Sequence, residues 1–147
     1  MKILFLTVLM AIGLNSSAEN PFFMASHYSQ CSSWEVAVYS FGYAHERLSD
    51  TCHTNGSYTR LHRVSANQLR MLRKVLSTTK FATLPESIEP ATHLAEADFL
   101  EIKVFEGASP KSVQAEELER ATNRDQAQRF QQVWKALTAI IPEPQYK

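Results

Sequence analysis

The chain has 147 residues, 44% of them hydrophobic, with 15 basic and 15 acidic side chains and no formal net charge at neutral pH. That size and composition fit one globular domain built on a single core. The charge balance gives no electrostatic basis for holding nucleic acid or an anionic lipid surface.

The first 18 residues read as a secretory signal: Met1-Lys2, an apolar run from Ile3 to Leu14, then small residues, with Ser16 and Ala18 at the −3 and −1 positions of a cut after Ala18. A core of about a dozen residues falls short of the ~20 needed to span a bilayer. No later segment is apolar enough to serve as an anchor. The expectation is an exported product, periplasmic or secreted, without a membrane anchor after cleavage. Residues 19–30 show no sustained period and are predicted to be an N-terminal arm. Residues 31–147 are predicted to form a single α+β domain.

From Trp34 the chain alternates, with Trp34, Val36 and Val38 pointing one way and Glu35, Ala37, Tyr39 and Phe41 the other. This period of two, rich in aromatic and β-branched residues, predicts a strand. Phe41-Gly42 is the expected tight turn into a second strand over Tyr43 to His53. Asn55-Gly56 is a strong hairpin signal, because a type I′ turn needs positive φ at both central residues. It leads into a third strand over Ser57 to Val64. Asn55-Gly56-Ser57 also fits a glycosylation sequon, although the turn reading needs no assumption about the host.

A two-residue loop at Phe41-Gly42 sets Ser40 opposite Tyr43 and, at the open end of the same hairpin, Cys31 opposite Cys52. Facing Cα atoms lie ~4.5–5.5 Å apart, within disulfide range. Export delivers the pair to an oxidising compartment, so Cys31 and Cys52 are predicted to be bonded. A closed loop of this size contributes about 3 kcal/mol in the loop-entropy account.

Ser65-Ala66-Asn67-Gln68 is a capping box flanked by Val64 and Leu69, and Leu69, Leu72, Val75 and Leu76 then form one apolar stripe. Phe81 and Leu84 follow, and Pro85 stops the helical region. Residues 86–97 contain Pro90 and no clean period; a connection of that length is often functional. Phe99 to Phe105 alternates again, Glu106 to Pro110 is a turn, and Lys111 to about Glu117 is a weaker returning strand. Asn123 and Gln126 make a second capping box before the stripe Ala127, Phe130, Val133, Trp134, Leu137 and Ile141, which ends at Pro142. The predicted fold class is α+β: an antiparallel sheet of about five strands in the order βββα-ββα, with both helices packed on one face.

The run Val64-Ser65, Gln68-Leu69, Leu72, Leu76, Phe81 and Leu84-Pro85, preceded by a hairpin, resembles a segment of small exported α+β domains of uncharacterised function. In them a hairpin leads into a capped helix whose exit is a Phe-x-x-Leu-Pro element. The resemblance covers about a third of the predicted mature chain and consists of packing and capping residues. It implies the fold and carries no catalytic or binding residue.

Enzymatic signatures do not assemble. The chain has no Gly-x-Ser-x-Gly elbow, no Gly-rich phosphate loop, and no Cys-x-x-Cys or His-Glu-x-x-His pattern. In the registers above, His45, His53 and His62 share one sheet face. They stand at different heights along strands that advance ~3.3 Å per residue, too spread to converge on one ion at ~2.1 Å. No metal or cofactor is predicted. Glu86, Glu89, Glu96 and Asp98 around His93 are an acid–base grouping by composition only, and a metal-binding protein or hydrolase using these surface His and Glu residues is the alternative reading.

Aromatic residues crowd the first three predicted strands, and alternation sends them to both faces of a sheet that helices cover on one side only. Exposed aromatics are favoured anchors of protein interfaces. The expected function is therefore a non-enzymatic binding module, of the inhibitor or immunity type, acting on another macromolecule. Its candidate interface is Trp34, Tyr39, Phe41, Tyr43 and Tyr58, with Glu89 and His93 from the loop.

Overall fold

The computed structural model describes residues 20–52, 56–107 and 109–144. The predicted signal segment, His53 and Asn55 lie outside them. Among the described residues the strands are β1 (Phe23–Tyr28), β2 (Ser32–Tyr39), β3 (Tyr43–Asp50), β4 (Tyr58–Arg63), β5 (Ser87–Ile88), β6 (Phe99–Val104) and β7 (Lys111–Glu116). The helix α1 (Ala66–Thr78) follows β4, and α2 (Arg124–Thr138) follows β7. One seven-stranded sheet results, in the order β4-β3-β2-β1-β6-β7-β5. Every neighbouring pair is antiparallel except β5 with β7, so the sheet is mixed.

Two strands exceed the expected five. The stretch read as an N-terminal arm contains β1, which occupies the middle of the sheet between β2 and β6. Its inward residues are Phe23, Ala25 and His27, and Ser26 on its other face is also buried. Small and polar side chains at buried positions blur the alternation that marks a strand. β5 is too short to have a period. It pairs with Gln114 and Ala115, and Pro90 bridges Ala121 just beyond it, so the first part of segment 86–97 is pinned to the domain.

The first hairpin is shifted by one residue from the expected register. Tyr39 faces Tyr43, which leaves a three-residue loop of Ser40, Phe41 and Gly42. Gly42 closes it at φ 95°, with its N–H donating to Tyr39 O at 3.2 Å. A glycine at the last position of a three-residue loop is a common hairpin closure. A Cβ here would also stand 3.1 Å from Val64 O, whose own N–H donates to Gly42 O. The disulfide Cys31–Cys52 nevertheless forms, with Cα atoms 5.2 Å apart. It lies just past the last strand pair, Ser32 with Asp50; Thr51 N–H still donates to Cys31 O at 2.9 Å, and the bond reaches one residue further, to Cys52. The second hairpin pairs Leu48 with Tyr58 and Tyr43 with Arg63, a register that the expected two-residue turn at Asn55-Gly56 would not produce.

Both helices pack on the sheet face formed by Phe23, Ala25, Trp34, Val36, Val38, Ala44, Leu48, Ile102, Val113 and Ala115. Alternation places all of these on one side, and the helical stripes meet them there through Leu69 and Leu72 of α1 and Phe130, Val133, Trp134 and Leu137 of α2. The capping box of α1 is closed in both directions, Gln68 N–H to Ser65 Oγ at 3.2 Å and Ser65 N–H to Gln68 Oε1 at 2.8 Å. Asn123 Oδ1 accepts from Gln126 N–H at the start of α2. No helix among the described residues is long and apolar enough to cross a membrane.

Candidate binding face

Among the described residues, no helix covers the opposite face of the sheet. Its rows are Met24, Ser26 and Tyr28 on β1, Ser33, Glu35, Ala37 and Tyr39 on β2, and Tyr43, His45, Arg47 and Ser49 on β3. Thr59, Leu61 and Arg63 on β4 and Phe99, Glu101 and Lys103 on β6 continue it. A half-solvated antiparallel sheet normally shows polar side chains here. Most of these positions obey, and aromatic and aliphatic groups interrupt them at both ends.

At the hairpin end, the Phe41 ring lies 5.3 Å from Tyr39 and 5.8 Å from Tyr43, measured between centroids. The three-residue loop produces this cluster: Tyr39 and Tyr43 face each other across the strands, and the loop folds Phe41 over them. Phe41 remains 56% exposed, and Leu61, one strand over, 68% exposed. An open cavity of about 620 Å³ flanks the cluster, lined by Phe41, Tyr43, Arg63, Ser65, Gln68 and Leu69. At the other end Tyr28 stacks on Phe99 at 4.8 Å, and Phe99 is 38% exposed.

Between the aromatic ends lies Glu101, buried and bonded to Ser112 Oγ at 2.8 Å and Lys103 Nζ at 3.1 Å. Burial pushes its carboxyl up, but the bonds from Ser112, Lys103 and Gln114 and the Lys103 charge outweigh burial and hold it below the ordinary value. In the loop, His93 Nδ1 sits 3.0 Å from Glu116 and its Nε2 3.5 Å from Glu89. The Glu116 hydrogen bond and charge raise the His93 pKa, with Glu89 adding to it. Glu89 and His93 are therefore together and exposed at the edge of this face, and Glu116 joins them.

Two predicted interface residues face the other way. Trp34 is fully buried on the helix side, edge-on to Trp134 at 5.9 Å, and cannot touch a partner. Its parity with Val36 and Val38 puts it in the core. Its Nε1–H donates to Glu46 Oε1 at 2.9 Å. Tyr58 is half-buried on the same side and donates to the same oxygen at 2.9 Å, while His62 Nε2 meets Glu46 Oε2 at 2.7 Å. Burial pushes the Glu46 carboxyl up, yet the bonds from Trp34, His62 and Tyr58 and the His62 charge more than offset it, so the pKa is lowered.

The register also separates the histidines. His45 faces Leu61 on the open side, and His62 faces Ala44 on the helix side, so the two are on opposite faces of the sheet. His53 lies outside the described residues. No group of three or more metal-ligating side chains exists among the described residues. Asp98 turns from His93 to His27, whose Nε2 is 3.3 Å away and whose Nδ1 is bonded to Glu143. The Glu143 bond raises the His27 pKa against burial, which lowers it, and Asp98 assists. Trp134, Glu117 and Arg120 share the wall of the open cavity of about 510 Å³ beside it.

Glu46 and His27 carry the most constrained polar chemistry, and neither was singled out from sequence. Glu46 alternates with Ala44 and Leu48, but the expected register set it opposite Ala37, and only the actual one sets it opposite Val36 on the core side. His27 was hidden in the supposed arm. Both clusters spend their polar atoms on one another, tying β2, β3 and β4 together in the first case and β1 to the chain beyond α2 in the second. The chain matches no protein-family model and no curated protein sequence.

Proposed function

We propose that this chain is an exported, non-enzymatic binding module that holds another macromolecule against the helix-free face of its sheet, as an inhibitor or immunity-type protein does. The observation that carries the reading is the aromatic cluster at the hairpin end of that face, exposed Phe41 on half-buried Tyr39 and Tyr43, with exposed Leu61 beside it. Large exposed apolar groups gathered in one place, rather than scattered, favour an interface. Export is supported by the signal-like N-terminus and by the Cys31–Cys52 bond, which an oxidising compartment preserves.

The test is affinity capture from the extracytoplasmic fraction with the disulfide-bonded protein and a Tyr39→Ala/Phe41→Ala variant. A specific partner retained by the unaltered protein should be held about 30-fold more weakly by the variant, the loss of a ~2 kcal/mol anchor. Urea unfolding curves should show both proteins fully folded under the capture conditions. Equal retention by the two, or no partner recovered by either, rejects the proposal.

A further inference from the structure

The two edges of the sheet are built differently. β5 is two residues long, and the chain after it is bonded onward to the domain, Ala91 N–H to Arg120 O and Thr122 N–H to Glu89 O. β4 is six residues long, and among the described residues only β3 pairs with it. Long exposed edges are ready-made templates for another strand, and proteins usually blunt them.

The hydrogen-bond phase of that edge follows from two bonds. Facing pairs in an antiparallel ladder alternate between those that exchange bonds and those that do not. Val64 N–H donates to Gly42 O, so Ala44–His62, Glu46–Arg60 and Leu48–Tyr58 are the bonded pairs. From the other side, Thr51 N–H donates to Cys31 O, which gives β2 the odd-numbered residues of β3 and leaves the even-numbered ones for β4. Both routes agree. Thr59, Leu61 and Arg63 therefore turn their N–H and C=O groups away from the sheet, and all three are exposed.

The same edge is cationic. Arg60 and Arg63 lie on β4, and Arg47 and His45 on β3. No carboxylate among the described residues forms an ion pair with Arg47, Arg60 or Arg63. Arg60 lies over the Tyr58 ring at 4.0 Å. Glu46 is committed to Trp34, Tyr58 and His62, and Glu35 faces Arg47 across the ladder without closing on it. Pairing β4 with β4 of a second copy would gather four arginines at one seam, which like-charge repulsion opposes.

We infer that β4 is a docking strand for an extended acidic segment of a partner protein, which adds to the sheet beside it. The inference rests on the binding role proposed above and names the partner's chemistry. Backbone groups of Thr59, Leu61 and Arg63 supply the pairing, and alternation supplies the selectivity. One row of the added strand's side chains runs beside Thr59, Leu61 and Arg63, the other beside Arg60 and His62. The fitting sequence places carboxylates in the row beside Arg60 and apolar residues in the row beside Leu61.

The probe is a blocked seven-residue peptide of alternating Glu and Val, compared with its Lys-for-Glu counterpart and with a version N-methylated at the valines. At low salt the acidic peptide should bind at least tenfold tighter than the basic one. It should also slow amide hydrogen exchange at Thr59, Leu61 and Arg63. Arg60→Glu/Arg63→Glu should reverse the preference. Leu61→Pro, which removes an outward N–H and spares the β3–β4 bonds, should abolish binding. Equal binding of the N-methylated peptide, or displacement by heparin without amide protection at β4, identifies a general anion surface and overturns the inference. A captured partner that Tyr39→Ala/Phe41→Ala loses but Arg60→Glu/Arg63→Glu keeps leaves the open-face reading standing and rejects this one.

Discussion

Glu46 occupies a position that strand parity assigns to the core, between Ala44 and Leu48, and is almost wholly buried. An isolated carboxylate there would be neutralised by burial. Three donors on three different residues keep it charged instead, and one of them is the indole of Trp34. Because its pKa in the folded state lies below the ordinary 4.5, its contribution to stability is complete above pH 4.5. The contribution is lost as pH falls through the lowered folded value. Glu46→Gln should cost about 1–3 kcal/mol at pH 7, since a neutral amide satisfies the donors less well. It should also flatten the fall in stability below pH 4.5. Urea unfolding of both proteins from pH 3 to 7 measures the two effects, and an unchanged acid slope would refute the assignment. Trp34 shows the limit of reading such a residue from sequence. Alternation correctly grouped it with Val36 and Val38, but its burial depends on Trp134, a hundred positions away in the chain, and alternation contains no such contact.

At the scale of elements, what was legible was what repeats or caps. Both helices, the Ser65 box, the Asn123 cap and the apolar stripe of α2 stand where periodicity put them. Registers were not legible, because a hairpin's register depends on loop length and Gly42 fits the end of a two- or a three-residue loop equally well by sequence. The slip moved the odd-numbered residues of β3, Tyr43, His45 and Arg47, from the face of Trp34 and Val38 to the open face, while the disulfide tolerated it. The second hairpin's register differs as well, and it parts His45 from His62 while leaving His62 and Tyr58 on the side of Trp34. Another element-level device is the end of α1, whose last turn contains no basic residue. Arg129 of α2 supplies the missing cation, its Nε donating to Thr79 O at 2.6 Å and its Nη2 to Lys80 O at 2.7 Å and Thr83 Oγ1 at 2.6 Å. A positive charge at a helix C-terminus also complements the macrodipole. Arg129→Met keeps the aliphatic stem and removes those bonds, and should destabilise the protein by about 2 kcal/mol. Arg129→Lys should restore only part of that, because one ammonium cannot span three acceptors in this geometry. Matched denaturation curves decide it; a neutral Met variant would show that the clamp is incidental.

For the whole molecule, one asymmetry organises the rest. Both helices stack on a single side of a wide sheet, so stability and recognition are divided between its two faces. The side under the helices is closed by rings and aliphatic chains that reach it from distant parts of the chain, among them Phe130, stacked on Trp134 at 6.4 Å. The bare side is left with aromatic groups that nothing in the fold requires, such as Phe41, which touches only its two tyrosine neighbours among the ring contacts of the described residues. If the division is real, substitutions of the same chemical size should differ by where they fall. Phe130→Ala opens a cavity in the core and should cost about 3–5 kcal/mol. Phe41→Ala removes a ring that is already mostly hydrated and should cost less than about 1 kcal/mol. Equilibrium unfolding in urea with the disulfide intact separates these values easily. A Phe41→Ala loss comparable to that of Phe130→Ala would mean that the aromatic tip holds the hairpin together, and a group conserving the fold in that way could not be counted as surface set aside for a partner.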